Sequence, residues 1–589
     1  MDKTWSLKEL YSSFEAEEFK NDMVKCKEYI EEHKAKIMEA LKTHDNEVGV
    51  IEKYIESEIR LYNIFSKLLE FASLTLSVEA KNEKAMSIME NLENSFTELT
   101  EVEVNFKKWL YEIKNLNELI EGSKLLKEHE FFLKELWEKN RYLLSEAEEV
   151  VISKMKNTGS GAFSKLQNTL SSTLLVDIEL DGEKKQLPLP VVRNMAHNKN
   201  AEIRKTAYEA ELNSYKKIEE SSAACLNGIK GEVITVNKMR GYNSVLEETL
   251  INSRLDAESL EAMFTAMRES FPAFRRFYLK KAEILGHKNG LPFYDLFAPS
   301  GEAHMSYTYE EAREFIVKNF GTFSKALADF ADNAFEKRWI DAEPREGKRG
   351  GAFCSNLHSI GESRVLCNFS GSFSDVVTIA HELGHGYHGN CLKDESILNS
   401  DYTMPIAETA SIFCETIVKN AVLKTATKEQ AYSVLEESIS DAGQVIVDIY
   451  SRFLFESELF KRRESSSLSV KELKEIMINA QKEAYGEALD ENYLHPYMWI
   501  NKPHYYYAER NFYNFPYAFG LLFSKGLYAE YVKRGQEFVK DYDKLLAMTG
   551  KMSIPEVTAM MGIDIHKVDF WRSSLKLIEE DIEKFISLV

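Results

Sequence analysis

Apolar residues recur at every third or fourth position through residues 50–150, with acids and lysines between them, as in VIEKYIESEIRLYNIFSKLLEFASL. This spacing places one buried stripe along each helix. Because the chain has only 11 prolines and 27 glycines, long segments can remain helical. No heptad is sustained, so the pattern favours antiparallel packed helices over a coiled-coil rod.

The helical pattern is interrupted first at STLLVDIELDGEKKQLPL, where two apolar runs flank Asp181 and Gly182. This dipeptide suits a two-residue hairpin turn, because both turn positions need positive φ. Helical spacing then returns. We therefore divide the chain into an N-terminal helical region, residues 1–195, and a second region, residues 196–589.

A second interruption covers residues 348–372, KRGGAFCSNLHSIGESRVLCNFSGS. Glycines at its start, β-favouring residues and a turn at Gly361 predict another hairpin.

Composition and charge exclude several classes of protein. The 589 residues are 44% hydrophobic, which is too apolar for a disordered chain, and the net charge of −21 disfavours nucleic acid as a partner. No stretch of about 18–20 residues is free of charges, and the N-terminus lacks a secretory pattern, so we expect no membrane contact and a cytoplasmic location. The six cysteines form no CxxC pair, which favours reduced, mostly buried thiols over a structural zinc site.

The motif HELGH at residues 381–385 carries the first chemical signal. Ser374 is the predicted start of its helix, with Asp375 near the positive end of the helix dipole. His381 and His385 are four residues apart and therefore share one helical face, where two imidazoles can bind one metal ion. Glu382 cannot easily join them as a ligand, but it can take a proton from a water on the metal.

A catalytic zinc site needs a third protein ligand and one open position. In one arrangement of such sites, a histidine follows six residues after the second ligand, but that position is Cys391. In another arrangement, a second helix supplies a carboxylate, and MPIAETASIFCETIVKN, with a helix start at Pro405, offers Glu408. We predict Glu408 as the third ligand. Glu415 either orients a ligand or is a surface carboxylate.

These motifs resemble the oligoendopeptidase F branch of the thimet-oligopeptidase-like zinc peptidases. The resemblance rests on HELGHGYH followed by AETASIFCE, with Glu408 27 positions after His381, on the N-terminal W-x-L-x-x-L-Y at residues 5–11, and on GKRGGAF, NFSGSFSDVVTIAHELGH and HYYYAERNFYNFPYAFG. It implies a mainly α fold with two lobes facing a deep central channel, small β-hairpins near the active site, and one Zn²⁺ per chain. It also implies short, unstructured peptides as substrates, because a recessed site would exclude folded chains.

The aromatic run that follows His495 offers groups to bind the oxyanion of a peptide hydrolysis reaction. Tyrosine hydroxyls and histidine N–H groups can do this without competing for the metal, and we select His504 and Tyr513. The resemblance implies the same two residues, with Tyr517 as a helper. Residues 505–507 are all tyrosine, so which tyrosine contacts the oxyanion stays open, and each of these rings could equally be a packing residue.

The hairpin at residues 348–370 has two interpretations. An exposed strand edge could bind an extended peptide as an additional strand, and Gly350 and Gly351 would allow its backbone to approach closely. Alternatively, the hairpin only connects two helices.

Together these residues predict a zinc endopeptidase in region 196–589, in which Glu382 is the general base for the attacking water. Two alternatives remain. A zinc carboxypeptidase on a similar helical scaffold would need a charged pocket for a peptide terminus, and a non-catalytic helical binding protein would bind no zinc.

Overall fold

Helices form most of the chain, as the spacing of apolar residues predicts. The structure, a computed structural model, describes residues 2–301 and 305–589. The N-terminal helices are α1 (Glu17–Ala40), α2 (Glu47–Val78), α3 (Glu83–Thr97), α4 (Thr100–Glu112), α5 (Leu116–Gly122), α6 (Lys124–Glu128), α7 (Glu130–Asn140), α8 (Glu146–Thr158) and α9 (Ser160–Ser172).

Short strands and further helices follow. They are β1 (Leu175–Leu180), β2 (Glu183–Pro188), α10 (Leu189–Asn194), α11 (Ala201–Tyr215), α12 (Glu219–Arg240), α13 (Val245–Asn252), α14 (Ala257–Ile284), α15 (Tyr309–Phe323), α16 (Lys325–Glu336), β3 (Ile340–Asp341), β4 (Phe353–Leu357) and β5 (Glu362–Leu366).

The remaining helices are α17 (Phe373–Leu392), α18 (Met404–Ala407), α19 (Thr409–Leu423), α20 (Lys428–Gly443), α21 (Ile449–Arg463), α22 (Val470–Tyr485), α23 (Met498–Asn501), α24 (Phe515–Arg534), α25 (Gln536–Met548), α26 (Ile554–Ala559) and α27 (Val568–Leu588). A π-helical turn, Gln444–Asp448, joins α20 to α21. The prediction of a mainly α fold with small hairpins is confirmed.

Both predicted hairpins are present. Strands β1 and β2 pair antiparallel around Asp181 and Gly182, whose φ angles are 52° and 78°. Strands β4 and β5 pair antiparallel around Gly361, where φ is 63°. Since β3 pairs parallel with the other side of β5, β4 forms one edge of a three-stranded sheet.

The N-terminal segment packs against this sheet. Trp5, Leu10 and Tyr11 share a hydrophobic cluster with Leu357 and Leu366 of the sheet. The ring of Trp5 also packs edge-on against Phe353, with 6.4 Å between ring centroids. The apolar positions of the W-x-L-x-x-L-Y motif therefore stabilise the hairpin that lies beside α17.

Buried apolar residues form three clusters. Two of them lie in residues 5–133, apart from the two sheet residues, and the largest extends from Leu174 to Phe585. The division of the chain at residue 195 remains a prediction. All six cysteines are free, and four of them are buried. Within residues 2–301 and 305–589, every helix is too short or too polar to cross a membrane.

Candidate metal centre

Helix α17 carries the HELGH motif and begins two residues earlier than the sequence predicts. Ser372, not Ser374, caps it, accepting a hydrogen bond from the Asp375 N–H at 3.1 Å. The Asp375 carboxylate in turn accepts bonds from the N–H groups of Ser370 and Ser372, at 2.9 and 3.0 Å. Ser372 and Asp375 thus form a capping box, in which the acid is the third residue of the helix. The helix therefore begins before Ser374.

Three predicted ligand atoms meet beside α17. The Nε2 atoms of His381 and His385 lie 3.1 Å apart, and Glu408 Oε2 lies 3.2 Å from the first and 3.5 Å from the second. A tetrahedral zinc ion with bonds of about 2.0–2.1 Å would hold its ligands about 3.3 Å apart, so these separations fit the ion. Among the residues that the structure describes, this is the one group of three or more metal-binding side chains with such spacing.

Glycine allows the two helices that carry these ligands to approach closely. A Cβ atom on Gly384 would lie 2.5 Å from the Ala410 carbonyl oxygen and 2.6 Å from Ser411 Cα, both backbone atoms of α19. Gly520 of α24 has the same role on the other side, where a Cβ atom would lie 2.9 Å from Glu408 Cβ. The ligand geometry therefore depends on glycines whose purpose the sequence does not reveal.

Glu408 lies at a break between two helices, whereas the sequence predicts one helix from Pro405 through Glu415. The short helix α18 ends at Ala407, and α19 begins at Thr409. Ser411, three residues later, donates a hydrogen bond to Glu408 Oε2 at 2.8 Å. This bond holds the carboxylate in place.

Glu415 contacts the far side of the first histidine ring. Its Oε1 atom lies 2.6 Å from His381 Nδ1, and Lys419 Nζ lies 2.8 Å from its other oxygen. A carboxylate at Nδ1 keeps the proton there and directs Nε2 toward a metal. Burial acts to raise the pKa of Glu415, but Lys419 and His381 hold that pKa well below its usual range.

The two histidines are held in different electrostatic states. Burial acts to lower the pKa of His381, but hydrogen bonds to Glu408 and Glu415 raise it to about 10. Burial lowers the pKa of His385 to about 4. The His385 carbonyl accepts a hydrogen bond from Asn356 of β4 at 3.1 Å, which ties the edge strand to the metal helix.

Glu382 is 6% exposed, and its carboxylate makes no hydrogen bond with any side chain or backbone group in the described ranges. It lines a cavity of about 260 Å³ together with His381 and Glu415. Burial raises the pKa of Glu382 to about 7. A carboxylate with a pKa near neutrality can both accept and donate a proton under ordinary conditions.

The aromatic run places a cluster of rings beside this site. The His504 ring centroid lies 6.0, 5.5 and 6.2 Å from those of Tyr507, Tyr513 and Tyr517. Tyr517 lines a cavity of about 310 Å³ with His381 and Glu408, and its ring lies 6.0 Å from that of Tyr513. The roles of His504, Tyr513 and Tyr517 in catalysis remain predictions.

The three consecutive tyrosines have different environments. Tyr505 and Tyr506 are buried in the core, at 0% and 1% exposure, and their hydroxyls have no partner among the described residues. Tyr507 alone joins the ring cluster.

Gly350 and Gly351 precede β4 on the exposed side of the hairpin. A Cβ atom added at either position would meet no atom within 4 Å, and Gly351 has a φ of 80°. Strand β4 pairs only with β5 among the described residues, so its other edge has free backbone groups beside α17. The proposed contact of these glycines with a peptide stays a prediction.

Sequence reasoning missed two contributors to the site, Lys419 and Asn356. Lys419 follows Glu415 by four residues, a helical spacing that signals an ion pair. Asn356 has no sequence signal, since its contact with α17 arises only from tertiary packing.

The sequence matches known family patterns over most of its length. The family described as "Peptidase family M3" matches residues 194–577, and "Oligopeptidase F" matches residues 111–174. Oligopeptidase PepF of Bacillus subtilis is 22% identical over 100% of this chain and 87% of that protein. The oligoendopeptidase F homolog of Lactococcus lactis is 26% identical over 82% of this chain and 79% of that protein.

Solved structures share the fold. A chain from Chlamydophila abortus has a TM-score of 0.85 at 21% identity and covers 100% of this chain and 98% of its own. Oligoendopeptidase-F from Enterococcus faecium has a TM-score of 0.71 at 17% identity, covering 97% of this chain and 98% of its own.

Proposed function

The chain belongs to peptidase family M3, in its oligoendopeptidase F branch, and from this premise we propose that it is a zinc-dependent endopeptidase of short, unstructured peptides. One observation carries the proposal. Three ligand atoms, from His381, His385 and Glu408, converge beside a buried carboxylate, Glu382, that has no partner of its own among the described residues.

The ligand set would hold one Zn²⁺ per chain. Two imidazoles and one carboxylate are donors that zinc prefers, and a fourth position would stay open for water. When bound, zinc polarises the scissile carbonyl and lowers the pKa of a water molecule. Glu415 keeps the His381 ring in the required orientation, with its proton on Nδ1.

Glu382 moves the proton in the proposed reaction. Its carboxylate accepts a proton from the attacking water. It then donates this proton to the nitrogen of the scissile amide, which leaves as an amine when the peptide C–N bond breaks. Burial keeps the pKa of Glu382 at about 7, which suits both steps near neutral pH.

The ring cluster would stabilise the negative charge that forms on the carbonyl oxygen. Burial and the positive charge of Arg452 lower the pKa of His504, which favours the neutral ring, and that ring can donate one N–H. Hydroxyls of Tyr513 and Tyr517 are further donors of the kind that an oxyanion requires. The free edge of β4 would bind the peptide backbone as an added strand.

We also propose that the protein is located in the cytoplasm.

The test is a digest of a mixed peptide library by the purified protein, read by mass spectrometry with and without a chelator. We expect internal cleavage of short peptides, including peptides blocked at both ends, about one zinc per chain by metal analysis, and loss of cleavage in the chelator. Intact end-blocked peptides would instead indicate a carboxypeptidase. A chain that neither retains nor takes up zinc would support a binding protein.

A further inference from the structure

A third cavity, of about 350 Å³, is lined by Asp441 but by none of the three metal ligands. Helices α10 and α11, the π-helical turn Gln444–Asp448 and the segment before His504 contribute to its wall. Asp441 lines this cavity and also both cavities that contain His381. The cavity therefore shares the wall residue Asp441 with the proposed active site.

Most of the charged groups on its wall are paired. Arg204 pairs with Asp295 at 2.6 Å, and Arg193 pairs with Glu211 at 3.2 Å. Lys502 differs from these two arginines. Among the described residues, no hydrogen bond or ion pair involves the Lys502 side chain, although Lys502 lines the same cavity.

Two more hydrogen-bond donors accompany Lys502. Arg452 is 7% exposed and forms an ion pair with Asp448, but its Nε atom is buried with no partner among the described residues. Gln444 also lines the cavity, and no hydrogen bond of its side-chain amide occurs within the described ranges. A buried N–H group without an acceptor is costly, so such a group is available to a ligand oxygen or to a water molecule.

We propose that this cavity binds the C-terminal carboxylate of the peptide substrate. Lys502 and the free Nε of Arg452 would bind its oxygens. The inference rests on the proposed function, since a peptide must already occupy the adjoining active site. Phe293, Phe297 and Met498 supply apolar walls on which the terminal side chain would pack.

The surroundings of Lys502 agree with this role. Burial, and then the positive charge of Arg452, lower the pKa of Lys502 to about 7, while Asp448 and Glu211 act in the opposite direction. A carboxylate brought into the cavity would offset the cost of the buried ammonium and form a charge-assisted hydrogen bond with it. Binding the chain end at a fixed place would also limit how many residues can follow the cleaved bond.

The test uses one peptide sequence in three forms: a free C-terminal carboxylate, a C-terminal amide, and an amide whose last residue is glutamate. We measure kcat and KM for each form and, with the Glu382→Gln protein, equilibrium binding by fluorescence anisotropy. The free acid should be preferred over the plain amide by about tenfold in KM and in binding, as expected for a charge-assisted bond.

Two substitutions locate the effect. Lys502→Met should abolish the preference for the acid, and Lys502→Arg should restore most of it because the charge returns. Lys525→Met is the matched control, because Lys525 is another lysine whose pKa burial lowers, but it lines the cavity on the metal side. This variant should keep the preference for the free acid.

The third peptide shows which carboxylate the cavity accepts. If the glutamate amide binds as tightly as the free acid, a side-chain carboxylate can occupy the site as well. If it binds as weakly as the plain amide, the site accepts only the C-terminal carboxylate.

Equal KM and equal binding of acid and amide in the unaltered protein would overturn the proposal, as would an unchanged preference in Lys502→Met. A preference lost equally in Lys525→Met would also overturn it, since the effect would then reflect overall charge. If no form is hydrolysed but the acid still binds more tightly, the proposed function fails and the carboxylate site stands.

Discussion

The helix pair α17–α19 and the aromatic segment at residues 504–517 both contribute to the candidate site, yet their side chains are positioned in different ways. On the helix pair, hydrogen bonds of 2.6–2.8 Å link His381 to Glu415 and Glu415 to Lys419. In the aromatic segment, rings pack at centroid distances of 5.5–6.2 Å. Regular helical spacing therefore positions His381, His385 and Glu415, whereas irregular backbone and ring packing position the proposed oxyanion donors.

The largest effect that this contrast predicts concerns the helix pair. Glu382→Gln removes the proton acceptor without touching a ligand, so hydrolysis should fall by about 10³-fold or more while zinc content stays the same. Peptide cleavage rates and metal analysis of the same preparation measure both quantities. Glu437→Gln is the control, because Glu437 lines the same cavity but is exposed, and its turnover should be near normal. Near-normal turnover of Glu382→Gln would remove the proposed general base.

A smaller effect is expected in the aromatic segment. Removing the hydroxyl that contacts the oxyanion should lower kcat by about 10²-fold with little change in KM. We therefore compare Tyr507→Phe, Tyr513→Phe and Tyr517→Phe in kcat, and expect the loss at Tyr513, with a lesser one at Tyr517. Tyr505→Phe is the control, because the Tyr505 ring is buried in the core. Three variants with unchanged kcat would exclude tyrosine as the donor and leave His504.

The same contrast explains how much of the molecule the sequence predicts. The period of apolar residues predicts the helices, and Asp181–Gly182 predicts the first hairpin, because both signals are local. The spacing within HELGH places His381 and His385 on one face for the same reason. Membership of the M3 family, predicted from motifs that extend along the whole chain, is confirmed.

What the sequence leaves undetermined depends on irregular local backbone and on contacts between distant segments. Helix α17 starts at Ser372 rather than Ser374 because Asp375 serves as the acid of a capping box. The bond from Asn356 to the His385 carbonyl joins residues 29 positions apart, whereas the break at Glu408 and the grouping of Tyr507 with His504 arise from local backbone that departs from helical spacing. Spacing alone could not select Tyr513 or Tyr517 among so many tyrosines.

The smallest effect tests whether close approach of the backbones, rather than side-chain bonding alone, sets the metal geometry. Alanine at position 384 would gain about 1 kcal/mol of helix propensity, but its Cβ would meet backbone atoms of α19 at 2.5 and 2.6 Å, which cannot rotate away. We expect Gly384→Ala to lose about 1–3 kcal/mol of stability by denaturant unfolding and to bind zinc more weakly.

Gly350→Ala is the matched substitution, because its Cβ would meet no atom within 4 Å and its φ is not positive. It should change stability by about 0.5 kcal/mol or less. Equal stability and equal zinc affinity in the two variants would mean that α17 and α19 can separate without moving the ligands. The hydrogen bonds of His381 and Glu415 would then suffice to hold the metal site, and the contrast between the two regions would rest on those bonds alone.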